Sequence, residues 1–167
     1  DMSQLIESGL PDATVSGNHI QEIDKSGNII FEWLCWDHFN ILDTYHTDLT
    51  QSYFELTHMN AIAIDYDNHI LISSRNLDEI TKINRSTGDI IWRLGGKNNE
   101  FTWINDSYQF SGQHDIRAVP NKPNHYTLFD NGSRHNPPFS RALEFKVDTL
   151  SMTVTKIWEY HSTRNRP

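Results

Sequence analysis

Hydrophobic and polar positions alternate residue by residue along much of this chain, and polar turns rather than long apolar runs interrupt them. Three stretches carry the pattern most clearly: IQEIDKSGNIIFEW from Ile20, ITKINRSTGDIIWRL from Ile80 and ALEFKVDTLSMTVTKIWEY from Ala142. Each is an alternating strand, a turn with Gly, Asn or Asp, and a second strand ending in Trp, which is the signature of a hairpin. Successive copies start about sixty residues apart, a period that points to propellers or solenoids.

Completing the unit gives four strands. In the best-preserved copy they are predicted at about 58–65, 69–75, 79–84 and 89–94, and in the next at about 114–119, 125–130, 140–147 and 152–160. Half a unit precedes them, at about 19–24 and 28–34. Helix signals are scarce; DTYHTDLTQSYFELT has room for a turn or two. The predicted fold class is all-β, a partial β-propeller forming one domain over 1–167, with a half blade at about 14–35 and four-stranded antiparallel blades at about 58–95 and 114–160. Trp33, Trp92 and Trp158 hold one repeated position and are expected between blades. So few blades do not close a ring of about four to eight, so the chain is expected to be part of a longer propeller or to be completed by other copies. The competing fold is a compact sheet or sandwich.

Composition narrows the function. A formal charge of -8 argues against nucleic acid as a partner, because phosphate binding wants a basic face. No apolar run approaches the roughly 20 residues of a membrane helix, so no membrane insertion is expected. The one cysteine, Cys35, excludes an internal disulfide. No signal peptide is visible at Asp1, and a chain that starts without Met and ends on RNRP reads as a processed or partial product. Nine histidines raise the question of metal, yet no HExxH or CxxC spacing occurs, and RLGGKNNEF lacks the GxxxxGK[ST] of a nucleotide loop. Neither metal nor cofactor is predicted.

The polar residues that do attract attention sit at strand ends. His58 and Asn60 point the same way from the start of one strand, and a turn near Asp67-Asn68 folds Arg75 back opposite His58. The next unit repeats the geometry: His114 opens its first strand, and FDNG returns Asp130 and Asn131 towards it. In a propeller the first strand of each blade lines the central channel, so His58, Asn60, Arg75 and His114 are expected to meet on one rim. His69 and His125 should lie at the opposite strand ends. A single histidine on a strand is more often structural than catalytic; two at matching positions, with an arginine, make a site worth testing.

The ordered set HMNAIAIDYDNHILISSRN, QHDIRAVP, TLFDNG and SRALEF, together with FEWLCWDHF, resembles the arylsulfotransferase family from about Gly17 onward. The resemblance implies a six-bladed propeller in a periplasmic or secreted compartment. It implies sulfuryl transfer from an aryl sulfate to a phenol, without a nucleotide donor. By that resemblance His114, in the QHD motif, is transiently sulfated, His58 and Asn60 form the H-x-N motif, and Arg75 closes S-x-R. A further family histidine is matched here by His38 of WDHF. These residue types suit the chemistry. Arg75 offers a planar fork for sulfate oxygens, Asn60 adds amide donors, and Asp130 and Asn131 are expected to line the substrate. Neutral His114 is a nucleophile if Asp115 or Asp130 holds its other nitrogen, and His58 or His38 would protonate the leaving phenolate. Two readings compete: a non-catalytic propeller that binds a ligand or scaffold partner, and a quinone-dependent dehydrogenase fragment.

Overall fold

The turns explain the architecture. In the computed structural model, which describes residues 1–161, one device closes all three of the repeated hairpins. Asp24 Oδ1 accepts the N–H groups of Ser26 and Asn28, Asn84 Oδ1 that of Ser86, and Asp148 Oδ1 that of Leu150, each at 2.8–2.9 Å. An Asx side chain thus bends its own backbone two residues on. Gly88 completes the middle turn at φ +81°, a left-handed conformation that a side chain resists.

Thirteen strands result among the described residues. Strands β1 (Thr14–Ser16) and β4 (Tyr53–Glu55) pair in parallel; β2 (His19–Ile23) and β3 (Ile29–Leu34) form a hairpin. A four-stranded antiparallel sheet follows, in the order β5 (Met59–Ile64), β6 (Ile70–Ser74), β7 (Glu79–Ile83), β8 (Ile90–Gly95). The last sheet runs β10 (His114–Ala118), β11 (His125–Asp130), β12 (Arg141–Asp148), β13 (Thr153–Tyr160), and the two-residue β9 (Thr102–Trp103) adds in parallel to β13. The chain is all-β, with several antiparallel sheets and none closed on itself. The stretch 43–57 holds no α-helix: a 3-10 turn, Ile41–Asp43, ends at its start, and β4 lies within it. The short parallel pairings of β1, β4 and β9 were not foreseen, because two or three residues carry no readable period.

Two cores join the sheets face to face. Leu71, Ile80, Trp92 and Leu94 from the β5–β8 sheet meet Ile116, Tyr126, Leu128 and Phe145 from the last sheet. On its other face Ile70, Ile72 and Ile83 pack against Trp33, Cys35 and Leu56. Two polar knots reinforce this. Lys82 is clamped between Asp65 and Asp67 at 2.6 Å each, and Tyr126 reaches across to donate to Asp65. Buried Arg141 bonds Asp106, Asp130 and Glu159.

The repeated tryptophans diverge. Trp33 is buried and its indole N–H donates to the Gly88 carbonyl at 3.0 Å; Trp92 is buried edge-on to Phe101 and Tyr126. Trp158, expected to be equally enclosed, is 52% exposed and stacks on Tyr160. Each tryptophan needs a following sheet to cover it, and among the described residues none follows β13.

Candidate functional site

The starts of β5 and β10 lie side by side, since these strands pack against each other. That places His58 and His114 with ring centroids 5.9 Å apart and planes at 68°. His58 is the residue just before β5 and adopts φ +47°, a turn that lets its side chain leave the strand end. Asn60 follows on β5. The β5–β6 hairpin returns Arg75, whose backbone N–H donates to the His58 carbonyl at 3.1 Å. The β10–β11 hairpin returns Asn131, whose amide nitrogen lies 2.9 Å from His114 Nδ1. The structure therefore brings His58, Asn60, His114 and Asn131 together, with the Arg75 backbone beside His58.

Each ring is held by a neighbour. His58 Nδ1 is 2.8 Å from Glu55 Oε2. The carboxylate only accepts, so Nδ1 carries the proton and Nε2 is left with a lone pair or, in the imidazolium, a second proton to give. The two side chains are 43% and 38% exposed, so the pair is open to solvent and to a ligand. His114 Nδ1 lies 3.1 Å from the Gly112 carbonyl, within a triangle that the Asn131 amide completes by also donating to Gly112. With its proton on Nδ1, His114 donates to Gly112; without it, Nδ1 accepts from Asn131. Both tautomers find a partner.

Asn60 has a different place from a free substrate donor. Its Nδ2 donates to the Gln113 carbonyl at 2.9 Å and its Oδ1 accepts the Asp115 N–H at 3.2 Å. One amide thus holds the backbone on both sides of His114, at a bulge where Asp115 sits at φ +61°. Gln113, fully buried, bonds Ser73, Ser74 and Glu79 and fixes β10 to the neighbouring sheet. Arg75 is half-buried, with one guanidinium nitrogen 3.0 Å from Asn76 Oδ1; no other protein group among the described residues bonds its guanidinium.

Other expected members lie elsewhere. His38 stacks flat on Trp33 at 4.4 Å, and its carbonyl accepts from Arg93; burial lowers its pKa from the ordinary histidine value. It belongs to the packing between β3 and the β5–β8 sheet and does not reach His58. Asp130 is fully buried, accepting from the N–H groups of Ser111 and Gly132 and from Arg141. Its carboxylate is consumed in folding the loop and faces no substrate. Asp115 pairs outward with Arg117. Neither aspartate holds the His114 ring; the Gly112 carbonyl does. His69 and His125 sit by the far turns, beside Arg85 and Glu144 respectively.

Glu55 and Gly112 were missed by sequence reasoning. An acidic residue three positions before His58 was the available signal for Glu55; nothing local marks a backbone carbonyl. A cavity of about 350 Å³ lined by Asn18, His19, Ile20, Met59, Asn60, Ala61 and Ile62 adjoins the site. A larger cavity, about 430 Å³, lies at the other strand ends around Glu22, Asp67, His69 and Arg85 and holds none of these groups. No group of metal-ligating residues occurs among the described residues, and no helix there is long and apolar enough to cross a membrane. Comparison with curated proteins gives no match. The family model described as arylsulfotransferase (ASST) matches residues 7–166.

Proposed function

Because the chain belongs to the arylsulfotransferase family, we propose that it transfers a sulfuryl group from an aryl sulfate to a phenol through a sulfated His114, with no nucleotide donor. The observation that carries this is the His58–His114 pair, two rings in edge-to-face approach, each with an acceptor within hydrogen-bond distance of Nδ1. A ring whose Nδ1 bears the proton presents a lone pair at Nε2, the form in which imidazole attacks near neutral pH.

In the first half-reaction the Nε2 lone pair of His114 forms an N–S bond while the S–O bond to the aryl group breaks. The departing phenolate takes a proton from His58, whose ring is held at Nδ1 by Glu55. In the second, an acceptor phenol gives its proton to His58, its oxygen bonds sulfur, and the N–S bond breaks. Sulfuryl transfer, like phosphoryl transfer, spreads charge over equatorial oxygens in a loose transition state. Arg75 supplies the cationic fork for those oxygens, and the Asn60 amide keeps His114 in line.

The sheets are read as blades of a propeller, six-bladed as in the family, with β2–β3 the outer half of one blade. Further blades or other copies would complete the ring and cover Trp158. The whole protein is placed in a periplasmic or secreted compartment. Its small-molecule partners are an aryl sulfate and a phenol.

The test is mass spectrometry of the complete protein incubated with p-nitrophenyl sulfate and no acceptor. A sulfuryl adduct on His114, discharged on adding phenol and absent in His114→Ala, is the expected result. An adduct on His58, or turnover by His114→Ala, overturns the assignment.

A further inference from the structure

The His114 triangle has a weakness: Gly112 and Asn131 favour opposite tautomers. The Gly112 carbonyl selects Nδ1–H, which frees Nε2 to attack, whereas the Asn131 amide selects a bare Nδ1 and places the proton on Nε2. The outcome depends on what keeps Gly112 aimed at the ring. Gly112 sits at φ +60° in a loop that has no sheet partner, so its orientation is set by side chains.

Two side chains do this: Asn131 donates to the Gly112 carbonyl, and Asp78 holds the Gly112 N–H. Asp78, 1% exposed, lies in the β6–β7 turn, itself at φ +53°. Its Oδ1 accepts the Gly112 N–H at 2.5 Å and faces His46 Nε2 at 2.6 Å; its Oδ2 accepts Arg134 Nε at 2.6 Å. The three partners come from three separate segments, before β4, before β10 and after β11. Arg134 also lies over the Tyr45 ring at 3.9 Å, next to His46, so the outer segments are clasped to each other above the carboxylate. Asp78 is buried, charged and shared, while neither it nor its partners make the bonds of a sheet.

We propose that Asp78 is a positioning residue for His114: by fixing Gly112 it holds the histidine in the Nδ1–H tautomer that attacks sulfur. This rests on the reading of His114 as the nucleophile. The charge matters as well as the shape. In Asp78→Asn one oxygen becomes an amide, which either confronts Arg134 Nε donor to donor or turns from Gly112 and His46. In both cases Gly112 is held less firmly, Asn131 becomes the dominant partner of Nδ1, and the Nε2 lone pair is lost to a proton. Losing the group that orients a metal-ligating histidine costs about 10- to 100-fold, and a loss of the same order is expected here.

The experiment uses the complete protein and p-nitrophenyl sulfate with no acceptor. The amplitude of the p-nitrophenol burst counts competent sites, and its rate constant reports attack at each of them, so a fall in folded protein does not mimic a fall in rate. Asp78→Asn is expected to slow the burst per site about 10- to 100-fold, with the donor concentration that half-saturates the burst rate changed less than about threefold. Nitrogen-15 shifts of the His114 ring should move from Nδ1–H in the parent towards Nε2–H in the variant. Arg134→Met, which spares Gly112, should leave that tautomer in place. An Asp78→Asn protein with the parent's burst rate and unchanged ring shifts, merely less stable, overturns the proposal. If Asp78→Asn fails to fold, Asp78→Ser decides in its stead by the same criteria. A parent that gives no burst and no adduct defeats the nucleophile reading instead, while the ring shifts still report whether Asp78 sets the tautomer.

Discussion

Replacing Asn60 with Ala separates two roles that one motif residue can play. If the amide serves the backbone around His114, its removal must weaken the fold and the chemistry together. Two bonds disappear, to the Gln113 carbonyl and from the Asp115 N–H. At about 0.5–1.5 kcal/mol each, the loss is about 1–3 kcal/mol. Gln113 is fully buried, and its carbonyl keeps only a long contact from Ser73 Oγ at 3.5 Å, which argues for the upper half of that range. With a urea m-value of about 2 kcal/mol/M, a loss of about 2 kcal/mol lowers the midpoint by about 1 M. The bulge at His114 is then free to relax, and a nucleophile displaced by about 1 Å loses about 100-fold in rate. Urea titration and single-turnover kinetics on the same preparation check both numbers. Asn60→Asp sharpens the test, because its carboxylate still accepts from Asp115 but confronts the Gln113 carbonyl acceptor to acceptor; it should be no more stable than Asn60→Ala. An Asn60→Ala protein as stable as the parent but catalytically dead would refute this reasoning and return the amide to direct contact with sulfate.

Burial raises Glu79 to about 7 from an ordinary 4.5, despite the Thr81 hydroxyl that donates to it. Its protonated form is thus favoured by the folded state, so its contribution is full below pH 4.5 and is lost as pH rises through about 7, by roughly 3 kcal/mol. Glu79→Gln should flatten that slope in urea midpoints measured from pH 4.5 to 8 and be the more stable protein at pH 8; a parallel slope in both proteins contradicts this. Lys82→Met leaves Asp65 and Asp67 facing each other without a cation and should cost about 3–5 kcal/mol, read as a lower thermal midpoint. Glu55→Gln removes the charge beside His58 without changing its shape. It should slow transfer from aryl sulfates with poor leaving phenols, which need the proton from His58, by about 10- to 100-fold, and spare transfer from p-nitrophenyl sulfate, whose leaving group does not; equal losses for both donors would speak against His58 as the acid.

The sequence by itself determined the antiparallel hairpins, though not the short parallel pairings of β1, β4 and β9. Period-two alternation and the Asx turns at Asp24, Asn84 and Asp148 are local signals, and the ladders Met59↔Ser74 and His114↔Phe129 lie within hairpins whose turns the sequence spells out. For the same reason Arg75 opposite His58 and Asn131 beside His114 were legible before any coordinates. Tertiary structure alone decided what each polar group does. Asn60 is spent on the backbone of residues 53 and 55 positions away, Asp130 is buried under Arg141, His38 lies flat on Trp33, and Trp158 stands half-exposed where its two counterparts are enclosed. Spacing along a strand fixes the direction in which a side chain leaves, but its partner is set by which sheet arrives on that side. That arrival is driven by the apolar faces of β6, β8, β11 and β12, and the buried polar groups must then bond whatever it brings within reach.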